Sequence, residues 1–129
     1  MSTPLIVNSR QAFQANVIAG ASANWMLHPG IQFRVQEEAQ AQGIALRLEP
    51  QAVSRSQLYR ALELRFERPQ DFACCYLFLD PERALVIWQA LPPNPDSAVL
   101  ESLETAALSL AGLECLAPAP SSAIVRPCT

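Results

Sequence analysis

The chain has 129 residues, a length typical of a single domain, and half of them are hydrophobic while only 16% are charged. This composition is too apolar for a disordered chain, and a chain of this size can bury a core without a metal or a disulfide. The net charge is −3 and the nine basic residues, all arginines, are scattered singly along the sequence. Because phosphate binding needs a basic patch, we expect no nucleic acid partner.

The cysteines and the apolar segments both indicate a cytoplasmic protein. No run of about 18 apolar residues and no leader with a basic start occurs, so neither a membrane span nor a signal peptide is predicted. The four cysteines, Cys74, Cys75, Cys115 and Cys128, match no zinc spacing and no disulfide framework. We expect free thiols, with one of Cys74 and Cys75 in the core if the pair lies on a strand.

Residues 1–30 predict only a poorly defined helical region. Ser9 is a suitable N-cap, and Phe13, Val17 and Ile18 recur at helical spacing after it. The Pro-Gly pair that follows His28 ends whatever element precedes it.

Two segments then alternate apolar and polar residues, which is typical of strands with one buried face. Their apolar positions are Ile31, Phe33 and Val35 in the first and Ile44, Leu46 and Leu48 in the second. With a polar turn over residues 37–43 between them, they predict an antiparallel hairpin.

A helix is predicted from the N-cap Ser54 to Pro69, which stops it. Leu58, Leu62 and Phe66 are spaced by four residues and are predicted to form its apolar stripe, while the arginines and glutamates of the helix face solvent.

Residues 72–79 and 84–91 are almost continuously apolar and flank Asp80-Pro81-Glu82-Arg83, the composition of a type I turn. They predict a second hairpin. Because both runs are apolar on both faces, we expect central strands covered on both sides, on one by the chain's own helices and on the other by a partner subunit.

The last helix is predicted to start at the N-cap Asp96, and Glu101 and Glu104 are expected near its N-terminus, where the helix dipole favours acids. Its apolar seam is Leu100, Leu103, Ala107 and Leu110. The Pro-, Ala- and Ser-rich segment after Leu116 is predicted to be disordered. The sequence therefore predicts one α+β domain over residues 1–116, a disordered tail over residues 117–129, and an antiparallel sheet of four to five strands with helices packed on one face.

No catalytic residue, cofactor site or metal site is predicted. His28 is the only histidine and has no acid near it in sequence, so it fits a turn better than a general base. The acid pairs Glu37-Glu38 and Asp80 with Glu82 lack the further oxygen ligands of a calcium loop and also fit turns.

The remaining candidates are apolar side chains that could bind a partner protein. Phe33, Val35, Tyr76 and Trp88 are the predicted partner-binding residues, because aromatic side chains anchor interfaces. The alternative for each of them is that it fills the core of its own domain.

Residues 44–116 resemble the class I type III secretion chaperones. The resemblance lies in the helix Ser54 to Phe66, in the hairpin FACCYLFLDPERALVIWQALPP and in the final helix DSAVLESLETAALSLAGLECL. It implies a chaperone-like α+β fold. Members of that family have an opening helix and three strands before the second helix, whereas only two strands are readable here.

Two functions are compatible with this resemblance. One is a chaperone-like antiactivator of Hrp-type secretion clusters, which restrains an AAA-type transcription activator and is countered by a chaperone-like partner. The alternative is a class I chaperone that keeps a secreted effector unfolded, for which a homodimer is expected. Both bind protein, by strand addition or by a helix in a groove. An enzyme of unknown type is the third alternative, and no motif supports it.

Overall fold

One sheet with helices on a single face makes up the part of the chain that the structure, a computed structural model, describes: residues 5–7, 9–72 and 74–116. The strands are β1 (Leu5–Val7), β2 (Ala23–His28), β3 (Ile31–Glu38), β4 (Ala41–Leu48), β5 (Tyr76–Leu79) and β6 (Leu85–Ala90). The helices are α1 (Arg10–Ile18), α2 (Arg55–Glu67), α3 (Pro69–Phe72) and α4 (Ser97–Leu110).

The strand order across the sheet is β1-β2-β3-β4-β6-β5. The five strands β2 to β6 pair antiparallel, and the three-residue β1 adds to β2 in the parallel sense. The predicted α+β class and the antiparallel sheet of four to five strands are therefore confirmed. The tail over residues 117–129 lies outside the described residues, so its predicted disorder stays a prediction.

The first predicted hairpin, β3 with β4, is confirmed in its register. Phe33 pairs with Leu46 and Ile31 with Leu48, so the alternating apolar residues of both strands share the face that the helices cover. This face contains most of the core. Its fully buried side chains include Phe13, Phe33, Ile44, Leu46, Leu48, Ile87, Leu100, Leu108 and Leu110.

The turn of this hairpin is tighter than predicted. Ala39 and Gln40 alone connect the strands, with φ of 50° and 67°. Two successive residues in the left-handed region are typical of a type I′ turn, which usually contains Asn or Gly. Because Ala-Gln lacks that signal, the sequence suggested a longer turn, and Gly43, predicted to belong to it, lies within β4.

The second predicted hairpin is confirmed, with two corrections. The Arg83 N–H donates to the Asp80 carbonyl oxygen at 2.9 Å and closes the predicted turn. However, Phe72 belongs to the short helix α3, and β5 begins only at Tyr76. In addition, β6 is central but β5 is an edge strand, so the prediction of two central strands was wrong for β5.

The region of residues 1–30 is more regular than predicted. The Ser9 hydroxyl accepts a hydrogen bond from the Ala12 N–H at 3.1 Å, which confirms the N-cap, and Phe13 and Val17 of α1 are buried. The strand β2 was not predicted. With β3 and β4 it makes three strands between α1 and α2, the number that the chaperone resemblance implies between its first two helices.

Helix α4 begins as predicted, because the Asp96 carboxylate accepts a hydrogen bond from the Val99 N–H at 2.9 Å. Glu104 was predicted to lie near the N-terminus of this helix, but it lies in the middle of α4. Its side chain is only 1% exposed and faces α1, where Gln14 Nε2 donates to both carboxylate oxygens at 3.3 Å.

The adjacent cysteines divide between core and surface. Cys75 is buried, Cys74 is exposed and both are free thiols. They precede β5 rather than lying on a strand. Burial, and to a lesser extent the neighbouring Cys74, raises the pKa of the Cys75 thiol to about 11, so it stays protonated at neutral pH. Nothing is described for the side chain of Cys115 or for Cys128.

Candidate protein-binding surface

Helix α2 is fixed at its start by a capping box. The Ser54 hydroxyl accepts a hydrogen bond from the Gln57 N–H at 3.1 Å, and the Gln57 side chain accepts one from the Ser54 N–H at 2.8 Å. These two bonds satisfy backbone donors that the helix itself cannot satisfy. They define where the helix starts and therefore which side chains share its faces.

The face that α2 turns to the core is not the predicted one. Ala61 is buried, and Leu58 and Leu64 pack partly buried against the core. Leu62 is 39% exposed and Phe66 is 84% exposed, so the predicted stripe is mostly on the surface.

Tyr59, which is 57% exposed, lies on the same side as Leu62 and Phe66. Residues spaced by three, four and seven positions share one face of a helix. We call these three residues the α2 stripe. It is an apolar, partly aromatic ridge on the surface, with no neighbour among the described residues that buries it.

The edge strand β5 lies beside α2. Arg65 of α2 donates from its Nε to the Cys75 carbonyl oxygen at 3.0 Å, which ties the second half of the helix to the start of the strand. Tyr76 and Leu79, the two ends of β5, are 58% and 56% exposed. The backbone of an edge strand also carries unpaired N–H and C=O groups, to which another strand can bind.

The sheet face opposite the helices carries a small apolar cluster of its own. Ala45, Val86 and Trp88 are buried there, and Phe78 packs against them. Trp88 Nε1 donates to the Gln36 carbonyl oxygen at 2.9 Å, which fixes the indole across β4. Tyr76 lies beside it, with ring centroids 5.8 Å apart.

One buried arginine forms ion pairs with three acids of this face. Arg47 is 6% exposed, and its guanidinium contacts Asp80 at 2.8 Å, Glu82 at 3.3 Å and Glu49 at 3.4 Å. Partial burial acts to raise the pKa of Asp80, but the hydrogen bonds from Arg47 and from the backbone N–H of Ala84 outweigh it and lower that pKa. Asp80 and Glu82 are therefore turn residues held by an ion pair.

The four predicted partner-binding residues do not form one surface. Phe33 is fully buried and stacks on Trp25 at 5.9 Å, and Val35 packs partly buried on the same face. Trp88 is 6% exposed on the opposite face, and only Tyr76 is widely exposed. Partner binding by these residues stays a prediction, and Tyr76 has the most surface to offer.

The α2 stripe was the feature that sequence reasoning missed. The available signal was the width of the apolar arc on α2. Leu58, Ala61 and Leu64 already cover the core side, so Tyr59 and Phe66 exceed what one packed face accommodates.

A groove on the helical side is lined by acidic and hydroxyl side chains. It measures about 620 Å³ and lies between α3 and α4, where Arg68 and Asp71 form an ion pair at 2.7 Å. Glu101 and Ser102 also line it. His28 is exposed and lies outside this groove.

Within the residues that the structure describes, neither a metal-binding cluster nor a membrane-spanning helix is found. Histidine, cysteine and acidic side chains form no group of three or more that could hold a metal ion there. None of the helices described combines the length and the apolar character that a membrane crossing requires.

Comparison with protein families gave one match. A family described as HrpV-like matches residues 1–116. Comparisons with curated proteins and with solved structures gave no match.

Proposed function

Since the chain belongs to the HrpV-like family, a family of type III secretion regulators, we propose that it is an antiactivator that restrains an AAA-type transcription activator by direct protein contact. The restraint is reversed when a chaperone-like partner binds the chain instead. The net charge of −3 supports contact with protein rather than with DNA, because an acidic protein is repelled by phosphates.

The observation that carries this proposal is the α2 stripe. Tyr59, Leu62 and Phe66 expose 57%, 39% and 84% of their surface on a helix that is already anchored to the core by its other flank. Aromatic side chains contribute most of the energy of many interfaces when a partner covers them. A regulator that works by contact needs such a surface, and α2 presents this one.

The mechanism requires only masking. The helix or strand of the activator that binds the α2 stripe is no longer free to bind anything else. If the activator needs that element to assemble into a ring, the ring cannot form while the stripe covers it. The coupling is reciprocal, because a second protein that binds the α2 stripe must release the activator.

The test is a co-expression experiment with the activator of the same secretion gene cluster. We expect the chain to co-purify with the activator and to lower expression from the activator's target promoter in proportion to its dose. Tyr59→Ser with Phe66→Ser should weaken the complex about 10-fold or more, since truncation of two aromatic contacts removes at least ~1.4 kcal/mol of binding energy.

A matched control is Ile18→Ser on α1. Ile18 is 47% exposed, so the change also removes an exposed apolar side chain. Helix α1 packs on β2, near one edge of the sheet, whereas α2 lies beside β5 at the other edge. This variant should bind and repress normally. Full repression by the double serine variant, with its fold verified by circular dichroism, would contradict the role of the α2 stripe.

A second candidate function is the class I chaperone, and the edge strand β5 favours it. An extended effector segment can pair with the free backbone of β5 and place side chains on Tyr76 and Leu79. In the same experiment, a secreted effector would then co-purify and be stabilised, while promoter activity would not respond to the chain.

A further inference from the structure

A pocket of about 350 Å³ lies where the start of α2 meets the end of β5. Leu48 and Leu85 of the sheet, which are 1% and 5% exposed, form its floor, and Leu58 of α2 and Leu79 of β5 form its sides. Arg55 and Arg83 also line it, and both are exposed. We call it the Arg55–Arg83 pocket.

These two arginines differ from the others in the described part of the chain. Arg10, Arg47, Arg60 and Arg68 contact carboxylates, and Arg34 and Arg65 donate hydrogen bonds to neutral oxygens. Among the described residues, no carboxylate lies within ion-pair distance of Arg55 or Arg83, and neither side chain donates a hydrogen bond.

The acids that adjoin residues of the pocket in sequence are engaged elsewhere. Glu49, Asp80 and Glu82 all contact Arg47, on the sheet face opposite the helices. Arg47 thus forms ion pairs with the carboxylates that could otherwise pair with Arg83, which follows Glu82 directly in sequence. An acidic chain therefore presents two unneutralised guanidinium groups above an apolar floor.

The pocket is also continuous with the α2 stripe. Arg55 lies four residues before Tyr59, seven before Leu62 and eleven before Phe66, which places it on the same face of α2. A segment that covers the α2 stripe and continues along the helix toward its start enters the pocket.

From this geometry we infer that the Arg55–Arg83 pocket binds an acidic–apolar segment of the partner protein, one apolar side chain in the pocket and a neighbouring carboxylate on the two arginines. The inference rests on the proposed function only in naming the partner. Guanidinium groups suit carboxylates because they offer paired donors in one plane, and the apolar floor excludes a purely acidic segment.

The inference is tested with an array of fluorescent decapeptides that share a leucine-rich centre and differ only in their flanks, which carry glutamate, glutamine or arginine. We expect the glutamate-flanked peptides to bind the full chain at least about 10-fold more tightly than the glutamine-flanked ones. Added salt should reduce this preference, because the contacts are exposed charges.

Arg55→Glu with Arg83→Glu should abolish the preference for glutamate. The matched control, Arg60→Glu with Arg68→Glu, makes the same change in net charge at arginines that form ion pairs away from the pocket, and it should keep the preference. Circular dichroism confirms that each variant is folded.

Equal binding of glutamate- and glutamine-flanked peptides, or no binding of either, would overturn the inference. A chain whose self-association, measured by light scattering, is lost in the Arg55→Glu/Arg83→Glu variant would assign the pocket to a second copy instead. If the chain prefers glutamate-flanked peptides but the activator never binds it, the proposed antiactivator function is wrong while the inference about the pocket is still supported. If the activator binds the charge-reversed variant at full strength, the pocket inference fails alone.

Discussion

Glu104 is the residue whose position is least expected from its chemistry. It is 1% exposed in the middle of α4, where Gln14 donates to it at 3.3 Å and Arg10 lies 3.5 Å away. Arg10 in turn lies over the Trp25 ring at 5.9 Å. One polar cluster therefore connects α1 and α4 within an otherwise apolar contact.

This cluster makes stability depend on pH. Burial raises the pKa of Glu104 to about 7, against the opposing effects of the Gln14 hydrogen bond and the Arg10 charge. Between the ordinary value of 4.5 and about 7, the folded state holds a proton that the unfolded state has lost. We therefore expect the free energy of unfolding to fall as pH rises through this window, by roughly 3 kcal/mol in all.

Glu104→Gln should remove this dependence, because the amide keeps the shape and cannot ionise. We expect the wild-type chain to lose stability between pH 5 and pH 8 and the variant to lose much less, as measured by urea denaturation at both pH values. Glu37→Gln, which removes an exposed carboxylate on β3, should retain the wild-type dependence. An unchanged pH dependence in Glu104→Gln would refute the assignment.

The sequence could not identify Glu104 as buried. Its neighbours Leu100, Leu103 and Ala107 were correctly assigned to the apolar seam of α4, but a glutamate within that arc is ordinarily placed in solvent. Only the partner on α1, Gln14, explains its position, and that contact spans 90 residues of sequence.

At the scale of elements, local signals predicted the caps and the paired strands well. Ser9, Ser54 and Asp96 all cap the helices that they were predicted to cap. The errors concern which elements lie at an edge. The apolar composition of β5 is that of a central strand. Whether a strand lies at an edge depends on where the other strands pair, which its own residues do not show.

Gly43 provides a test of how the open sheet face is packed. A Cβ atom built on Gly43 would lie 2.5 Å from Cε2 and Nε1 of Trp88, and it would also meet the backbone oxygen of Gln89. The indole therefore lies directly on the glycine. Gly43→Ala should lower the free energy of unfolding by about 1–3 kcal/mol, the usual effect of overpacking.

The cause can be isolated in a double-mutant cycle with Trp88→Phe. The smaller ring relieves part of the crowding, so Gly43→Ala should cost less in the Trp88→Phe background, as measured by urea denaturation. The same cost in both backgrounds would place the strain at the Gln89 backbone alone and would contradict the role of the indole.

For the whole molecule, the sequence predicted the fold class better than the surface. Patterns such as Ile31, Phe33 and Val35 record which residues the core needs, and they identify the helix-covered face of the sheet. The residues of a partner-binding surface follow no periodic pattern that distinguishes them from core residues. The α2 stripe looked like a core face because apolar spacing is identical whether the chain's own core or another protein buries it.

The extent of the folded unit is the last property that can be tested at this scale. The family match ends at residue 116, and Leu113 and Leu116 pack against the core after α4 ends. Leu113 N–H also donates to the Leu108 carbonyl oxygen at 2.8 Å, which closes the end of the helix. We therefore propose that residues 1–116 fold without residues 117–129.

A chain ending at Leu116 should unfold at the wild-type midpoint in calorimetry and should bind its partner equally well. A chain ending at Leu110 loses the buried Ala111 and the partly buried Leu113 and Leu116. It should be less stable by roughly 3 kcal/mol, since full burial of one leucine contributes about 1.5–3 kcal/mol and these two are only partly covered. If both truncations lower the midpoint by a similar amount, residues 117–129 themselves contribute to the fold, and the unit does not end at Leu116.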